Sequence, residues 1–447
     1  MKKSYEIDMC NGTIMDKLIS FSLPLMLSGI LQLMFNAVDI IVIGRFSGSQ
    51  SLAAVGSTTA LINMFTNLFI GISLGANVLS ARFYAAGKDK EMSETVHTAI
   101  TLALISGIIM VFVGLIFAKP VLELMDTPDD VINLSTLYMR IYFMGMPFFM
   151  LYNYGASILR AVGDTKRPLF YLIVAGIANA GLNMCLVIIF HLGVAGVAIG
   201  TVISQLISSI LVLRCLYQSE TSYQLRFSKL KIQKEYLKQI FQVGIPAGIQ
   251  STVINFSNVL LQSSVNSFGS IAMAGYTAAN NIFGFLYVTV NAVTQACMSF
   301  TSQNYGVGKW KRMDRVLIDC LILSFVAMMI LGNSAYFFGP KLLTIYTSNS
   351  KVIQCGMEIL LYTTVTYFLC GFMDLFPGAL RGMGRSGVPM ILSIIGTVGT
   401  RIVWIFWIFP NHRSLDILFI SYPASWIITI VLQVICYYFV RKQLYAK

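Results

Sequence analysis

Apolar residues gather in long runs separated by short polar connections. The runs lie near 18–44, 52–80, 95–117, 132–157, 168–191, 194–216, 238–266, 272–300, 316–338, 352–379, 388–410 and 415–440. At 1.5 Å of rise per residue each is long enough for a helix across about 30 Å of hydrocarbon. The pattern therefore predicts twelve transmembrane helices, numbered below as spans 1 to 12. The first run follows the polar stretch MKKSYEIDMCNGTIMDK. It exceeds a signal peptide's apolar core, so span 1 is expected to be a retained helix.

The chain also repeats itself. Residues 156–168 read ASILRAVGDTKRP and residues 377–389 read PGALRGMGRSGVP, so that Arg160/Arg381, Gly163/Gly384 and Pro168/Pro389 are each 221 apart. Tyr84/Tyr305, Gly87/Gly308 and Lys88/Lys309 keep that offset, and Pro24/Pro246 shift it to 222. Two copies of about six spans in one order cross the bilayer with one orientation, as parallel repeats about an axis along the membrane normal. The fold expected is an all-α integral membrane protein of two pseudo-symmetric six-helix bundles. Their boundaries are 1–217 and 237–447, with 218–236 as a cytoplasmic linker whose lysines meet anionic lipid at the membrane surface. Halves of this kind enclose a central cavity, which is a transporter's working part.

Composition agrees. Of 447 residues 56% are hydrophobic and 11% charged, against about 25% charged in a soluble domain. Basic residues fall on one side, as cytoplasmic loops of membrane proteins require. With an inside N-terminus, the inner segments hold Lys2, Lys3 and Lys17, then Arg82, Lys88 and Lys90, and then Arg160, Lys166 and Arg167. The linker region adds Arg214, Arg226, Lys229, Lys231, Lys234 and Lys238, and the remaining inner segments hold Lys309, Lys311, Arg312, Arg315, Arg381, Arg385, Arg441, Lys442 and Lys447. The outer loops hold only Arg45, Lys119, Lys341, Lys351 and Arg413, while Arg140 and Arg401 lie within spans. Both termini are expected in the cytoplasm, the membrane being the plasma (inner) membrane. The net charge of +12 is this asymmetry and not a nucleic-acid surface, because no soluble basic domain carries it.

Candidate chemistry is sparse. Asp39 and Asp374 are the acidic residues well inside spans, with Glu358 nearer the outer end of span 10. A carboxylate in hydrocarbon costs several kcal/mol and often marks an ion pathway. Desolvation favours its neutral form, so it can hold a proton near neutral pH and exchange it for Na⁺ or a cationic substrate. The bland alternatives are that Asp39 reaches the outer water or pairs with Arg45 and that Asp374 forms a fixed ion pair with Arg401. Asn36 lies three residues before Asp39 on the same helical face, and Asn179 and Asn183 are an i, i+4 pair on span 5. These amides and the carboxylate can surround a proton or small cation; taken singly, each amide reads as interhelical glue.

Pro24, Pro147, Pro246, Pro377 and Pro423 interrupt spans and permit kinks. Gly71 with Gly75, Gly196 with Gly200, Gly244 with Gly248 and Gly378 with Gly382 have the spacing of close helix approach. Aromatic and Met side chains, among them Phe149 on span 4 and Phe283 and Tyr287 on span 8, suit an adaptable pocket for bulky aromatic cations. Gln32, Asn153 and Asn255 complete the positions assigned to a substrate cavity. The eight cysteines show no metal or redox spacing, and His97, His191 and His412 are far apart. HExxH, GxSxG and P-loop motifs are missing, so an enzyme is not expected and neither is a cofactor. Without a nucleotide-binding module the energy must come from an ion gradient, or the protein is passive. Nothing in the sequence requires more than a monomer.

Four segments carry a family likeness: FSLPLMLSGILQLMFNAVDIIVIGRFSGSQSLAAVG at 21–56, ASILRAVGDTKRP at 156–168, GVAGVAIGTVISQ at 193–205 and PGALRGMGRS at 377–386. Together they resemble the multidrug and toxic compound extrusion (MATE) family over nearly the whole chain. The resemblance implies a V-shaped pair of bundles that exports cationic, often aromatic compounds in exchange for H⁺ or Na⁺. It makes Asp39 the carboxylate of an N-terminal ion site, with Asn179, position 183 and Thr201 as companions and Na⁺ a candidate occupant. Relatives often carry Asp where this chain has Asn183, and many carry Glu in span 7. Here span 7 offers Gln250, Asn255, Asn258 and Gln262, and Asp374 does not match the register of the relatives' span 10 carboxylate. One carboxylate binds Na⁺ less tightly than two, which shifts the expectation toward H⁺. A flippase for lipid-linked sugars is the alternative cargo reading; it needs a basic cavity, for which only Arg140 and Arg401 are available inside spans.

Overall fold

The computed structural model describes residues 5–125 and 127–446, the side chain of Ala60 excepted; Lys2, Lys3 and Lys447, counted above among the inner basic residues, lie outside the described residues. All regular structure among the described residues is helical. The α-helices are α1 Met15–Phe46, α2 Gly48–Ala85, α3 Asp89–Leu124, α4 Asp129–Met144, α5 Met146–Ala161, α6 Lys166–Met184, α7 Gly193–Tyr217 and α8 Lys234–Asn266. They continue with α9 Ser270–Gly306, α10 Trp310–Phe337, α11 Gly339–Thr344, α12 Ser350–Thr364, α13 Tyr367–Gly382, α14 Gly387–Ser393, α15 Thr400–Val403 and α16 Leu415–Tyr445. Single π turns follow α6 at Cys185–Ile189 and flank α15 at Ile394–Gly399 and Trp404–Ile408.

By length and apolar character nine of the helices among the described residues can cross a bilayer, ten when α12 and α13, bent by 45°, count as one span. The two other expected spans are helices of a different make. Span 4 breaks at Gly145 into α4 and α5, 16 residues each. Pro147 stands in the first turn of α5, where its missing N–H costs nothing. Span 7 is α8, 33 residues long, with Gln250, Asn255, Asn258 and Gln262 in what should be hydrocarbon. Pro24, Pro246, Pro377 and Pro423 stay inside unbroken helices. The one bent pair kinks at residues 365–366, away from any proline.

The chain divides into two compact units. The first holds the described residues through Ile7 and Leu27–Gly248; the second holds Asp8–Met26 and the chain from Ile249 onward. Inside the first, α2 packs on α3, α4 and α5, while α5 packs on α3 and α7, and α4 also meets α7. Inside the second, α9 packs on α10, α12 and α13, while α13 packs on α10 and α16, and α12 also meets α16. These are the same pairings displaced by the sequence offset. The duplicated turns match as well: Gly87 and Gly308 have φ of 64° and 72°, and Gly163 and Gly384 have 96° and 81°. Left-handed backbone of this kind is open to glycine at little cost, so the repeat conserves its own helix stops.

Polar segments are tied to each unit. In the first, the hydroxyls of Tyr84 and Tyr223 donate to Glu6 at 2.7 and 2.6 Å. The linker backbone donates from Arg226 to His97 Nε2 at 3.1 Å and from Gln233 to Thr98 Oγ1 at 3.1 Å. In the second, Lys309 Nζ donates to the Cys10 carbonyl at 2.9 Å, and the Arg312 guanidinium to the carbonyls of Met9, Asn11 and Gly12. The Asn11 amide donates to Asp8 at 3.0 Å and holds its carboxyl below the usual range.

Candidate functional site

α1, α6 and α7 meet inside the first unit around one carboxylate. Asp39, partly buried on α1, accepts a hydrogen bond from Asn183 Nδ2 on α6. The second proton of that nitrogen goes to Asn179 Oδ1 one turn earlier at 3.3 Å. Asn179 Nδ2 in turn donates to Thr201 Oγ1 on α7 at 3.5 Å, and the Thr201 hydroxyl, 3.0 Å from the Val197 carbonyl, also faces Asp39. Asn183 is fully buried and Asn179 is 5% exposed, so neither amide is hydrated in place of these bonds. Among the described residues Asn183 Oδ1 is buried without a hydrogen-bond partner. An orphaned buried acceptor of that kind costs about 1–3 kcal/mol unless a proton or cation reaches it.

Small residues make the junction possible. A Cβ on Gly200 of α7 would strike Asn183 Oδ1, one on Gly176 of α6 would enter the Phe35 ring, and one on Gly196 would touch the Leu186 backbone at 3.2 Å. The glycine pair on span 6 therefore packs against the polar end of span 5. The π turn beginning at Cys185, two residues after Asn183, places one extra residue in the helix beside the cluster, a feature common at functional sites. Gly200→Ala is expected to rotate the Asn183 amide away from Asp39 and to lower transport by at least about tenfold, as misplaced functional groups do. Gly181→Ala, with open space at its Cβ, is the matched control and should transport normally.

The other expected positions are distributed differently. Asn36 is exposed on α1 and stands outside the Asp39 network, and Gln32 is exposed on the same helix. Arg45 is exposed at the end of α1, and Asp39 engages Asn183 in its place. On α5, Asn153 is partly buried and donates to its own helix at Phe149 O, 2.8 Å, while Phe149 packs partly buried on the core. In the second unit Asn255 and Tyr287 are exposed, but Phe283 is 9% exposed and stacks on Tyr367 at 6.1 Å. Phe283 is thus a core residue, because α9 turns that face toward α13.

Asp374 receives a hydrogen bond from the Tyr287 hydroxyl and lies near Arg381. The ion pair with Arg401 that is its bland alternative is not among the ion pairs of the described residues. The Arg401 side chain on the span 11 helix points toward α8 and α16, where it meets Asn258 and Ser425, while Asp374 on α13 faces α9. Arg140, the other arginine within a span, is exposed on α4.

Sequence reasoning missed Tyr138 and Tyr142 of α4. Both are close enough to feel the charge of Asp39, and their i, i+4 spacing on span 4 was the available signal. The described residues contain no group of three His, Cys, Asp or Glu suited to a metal ion. What reaches Asp39 is the Asn183 amide nitrogen and the Thr201 hydroxyl, both donors to its carboxylate, with the oxygens of Asn179 and Asn183 in the same cluster.

A multi-pass helical membrane protein built twice over, with a carboxylate and amide cluster inside its first copy, defines a narrow class. A family model described as MatE matches residues 24–185 and again 246–407, the second stretch offset from the first by the 222 residues that separate Pro24 from Pro246. The chain belongs to the MATE family. The Probable multidrug resistance protein YoeA of Bacillus subtilis (strain 168) is 30% identical over 434 residues, 95% of this chain and 93% of its own. The Multidrug export protein MepA of Staphylococcus aureus (strain NCTC 8325 / PS 47) is 23% identical over 380 residues, 85% of this chain and 84% of its own. A structure described as the outward-facing conformation of a multidrug resistance MATE family transporter of the MOP superfamily superposes with a TM-score of 0.90 at 20% identity, over 100% of this chain and 99% of that one. A mutant of the Vibrio cholerae MATE transporter VcmN gives 0.90 at 19% identity, over 97% and 98%. At such identities the structures speak for the fold, which is that of MATE transporters and not of an enzyme.

Proposed function

We propose that this chain is a multidrug efflux antiporter that exports organic, aromatic cationic compounds in exchange for H⁺, or Na⁺, by alternating access. The names of the relatives YoeA and MepA support the drug-export part. The coupling part rests on one observation: Asp39, Asn179, Asn183 and Thr201 share one largely buried cluster whose acceptor Asn183 Oδ1 has no donor among the described residues.

In the ionised state Asp39 accepts from Asn183. A proton arriving on Asp39 makes its carboxyl a donor, which the Asn183 amide would meet by turning its Oδ1 toward it, and a small cation would satisfy the same oxygens electrostatically. The cluster therefore has two states, ionised and protonated, which a gradient can drive in turn. The single carboxylate favours H⁺. Gln32, Asn153, Asn255 and Tyr287 are the polar groups assigned to the substrate cavity, and Asn36 stays with the coupling positions. The same reading keeps 1–217 and 237–447 as the two halves, 218–236 as a cytoplasmic linker, both termini in the cytoplasm and the plasma membrane as location. Of the two arginines a lipid-linked anion would need, Arg140 is exposed and Arg401 is already engaged, so the flippase reading gains nothing.

The test is transport of ethidium by the purified protein in sealed vesicles, under an imposed pH gradient, an imposed Na⁺ gradient or neither. Uphill ethidium movement is expected with the pH gradient and stops when that gradient is collapsed. Movement driven by Na⁺ alone would reassign the coupling ion, and movement indifferent to both gradients would overturn the antiport mechanism.

A further inference from the structure

The second unit has its own three-helix junction, at the place that corresponds to the Asp39 cluster, and its charge is inverted. α8, the span 11 helix and α16 stand there for α1, α6 and α7. Asn258 lies 222 residues after Asn36, Arg401 222 after Asn179 and Tyr422 221 after Thr201, while Leu261, 1% exposed, stands 222 after Asp39. The carboxylate is thus replaced by a core leucine and a guanidinium has been added. Arg401 is 3% exposed. Its Nη1 donates to Asn258 Oδ1 at 2.7 Å and to Ser257 Oγ at 3.2 Å, its Nε to Ser425 Oγ at 3.3 Å, and its carbon lies 4.7 Å from the centre of the Tyr422 ring. No carboxylate of a described residue is in ion-pair distance of it.

A buried charge in a membrane normally finds an opposite charge or a backbone cage. Arg401 has instead an amide oxygen, two hydroxyl oxygens and an aromatic face, which is the set that would coordinate a free organic cation. We propose that Arg401 is a resident cation. Its guanidinium, tethered to span 11, permanently fills the second unit's counterpart of the first unit's ion site. This counterpart site then takes up no exchangeable ion, and of the two corresponding junctions only the one at Asp39 can contribute an ion per substrate. The stoichiometric part rests on the coupling role proposed for Asp39; the occupancy part does not.

The test uses the full-length Arg401→Ala protein and guanidinium chloride at millimolar concentration, far below denaturing strength. The vacated cage should bind the free ion. The thermal midpoint of Arg401→Ala is expected to fall well below that of the parent, and to climb back saturably with guanidinium but not with equal NaCl, as ligand linkage requires. The parent should be indifferent to both salts. A guanidinium response no larger in the variant than in the parent would overturn the proposal and leave Arg401 as helix glue. Should Arg401→Ala fail to fold, Arg401→Lys and Arg401→Met decide the matter: Lys keeps a cation in the cage and is expected to transport, Met has similar length without charge and is not. Equal transport by both would sink the idea. The Asp39 reading is separated by running the guanidinium titration in an Asp39→Asn, Arg401→Ala background. Rescue there stands as binding, whatever Asp39→Asn does to exchange, and loss of exchange without rescue removes the resident cation alone.

Discussion

Asp39→Asn is expected to leave a folded, membrane-inserted protein that no longer moves ethidium out of energised cells. The substitution is nearly isosteric, and the new side chain still offers Oδ1 to the Asn183 amide, so the junction of α1, α6 and α7 keeps its hydrogen bond. What disappears is the ability to carry a charge that a proton can cancel. Without it the cluster has one state where the proposed antiport cycle needs two, and the imposed gradient has nothing to act on. Efflux should drop to the level of cells lacking the protein, with membrane abundance unchanged on an immunoblot. Efflux at the parent rate would remove Asp39 from the mechanism. Asp39→Glu separates charge from placement: it keeps the carboxyl but pushes it one methylene toward Asn183, so a partial rate is expected.

Gly248→Leu should damage the fold itself. Gly71 and Gly75 on α2 face Gly244 and Gly248 on α8, and within the first unit the two helices touch through main chain. A Cβ on Gly248 would meet the Leu68 carbonyl oxygen at 2.6 Å, and one on Gly71 would run into the Gly248 backbone. The obstructing atoms are backbone, which cannot rotate aside as a side chain can. Lipid tails are as apolar as leucine, so the added methyl groups gain little by burial, and close packing is what holds such a pair together. Overpacking commonly costs about 1–3 kcal/mol and more where nothing can yield. The expected result is a sharp fall in detergent-extractable monodisperse protein and in its thermal midpoint, with Gly248→Ala intermediate. Parental stability of Gly248→Leu would show that the helices do not approach this closely.

The four glycines were legible from spacing alone because small residues at i and i+4 mean the same thing in any membrane helix. Asp39 was legible for a similar reason: a charge in hydrocarbon is rare enough to be informative, and Asn179 and Asn183 announce a shared face. Partners across helices were harder. Arg401 and Asp374 sit on consecutive spans, and pairing them was the obvious electrostatic guess, but orientation about the helix axis decides contact and one-dimensional spacing does not carry it across a loop. The two tyrosines of α4 were hidden by the aromatic richness of that span, where packing and function use the same residues. Span 4 looked continuous because Gly145 interrupts the helix without interrupting the apolar run, and α8 looked ordinary because its amides are spread along it.

The π turn at Cys185–Ile189 has a dynamic implication. Such a turn is an α-helix with one surplus residue, and a surplus residue can migrate. Were it to travel a single turn toward the start of α6, everything it passed would swing by about 100° around the helix axis, with both helix ends standing still. Asn183 is the second residue in its way, and the swing would carry its amide off Asp39 altogether. Such a shift would uncage the carboxylate of the first unit with no rigid-body rearrangement, only the relocation of a wrinkle.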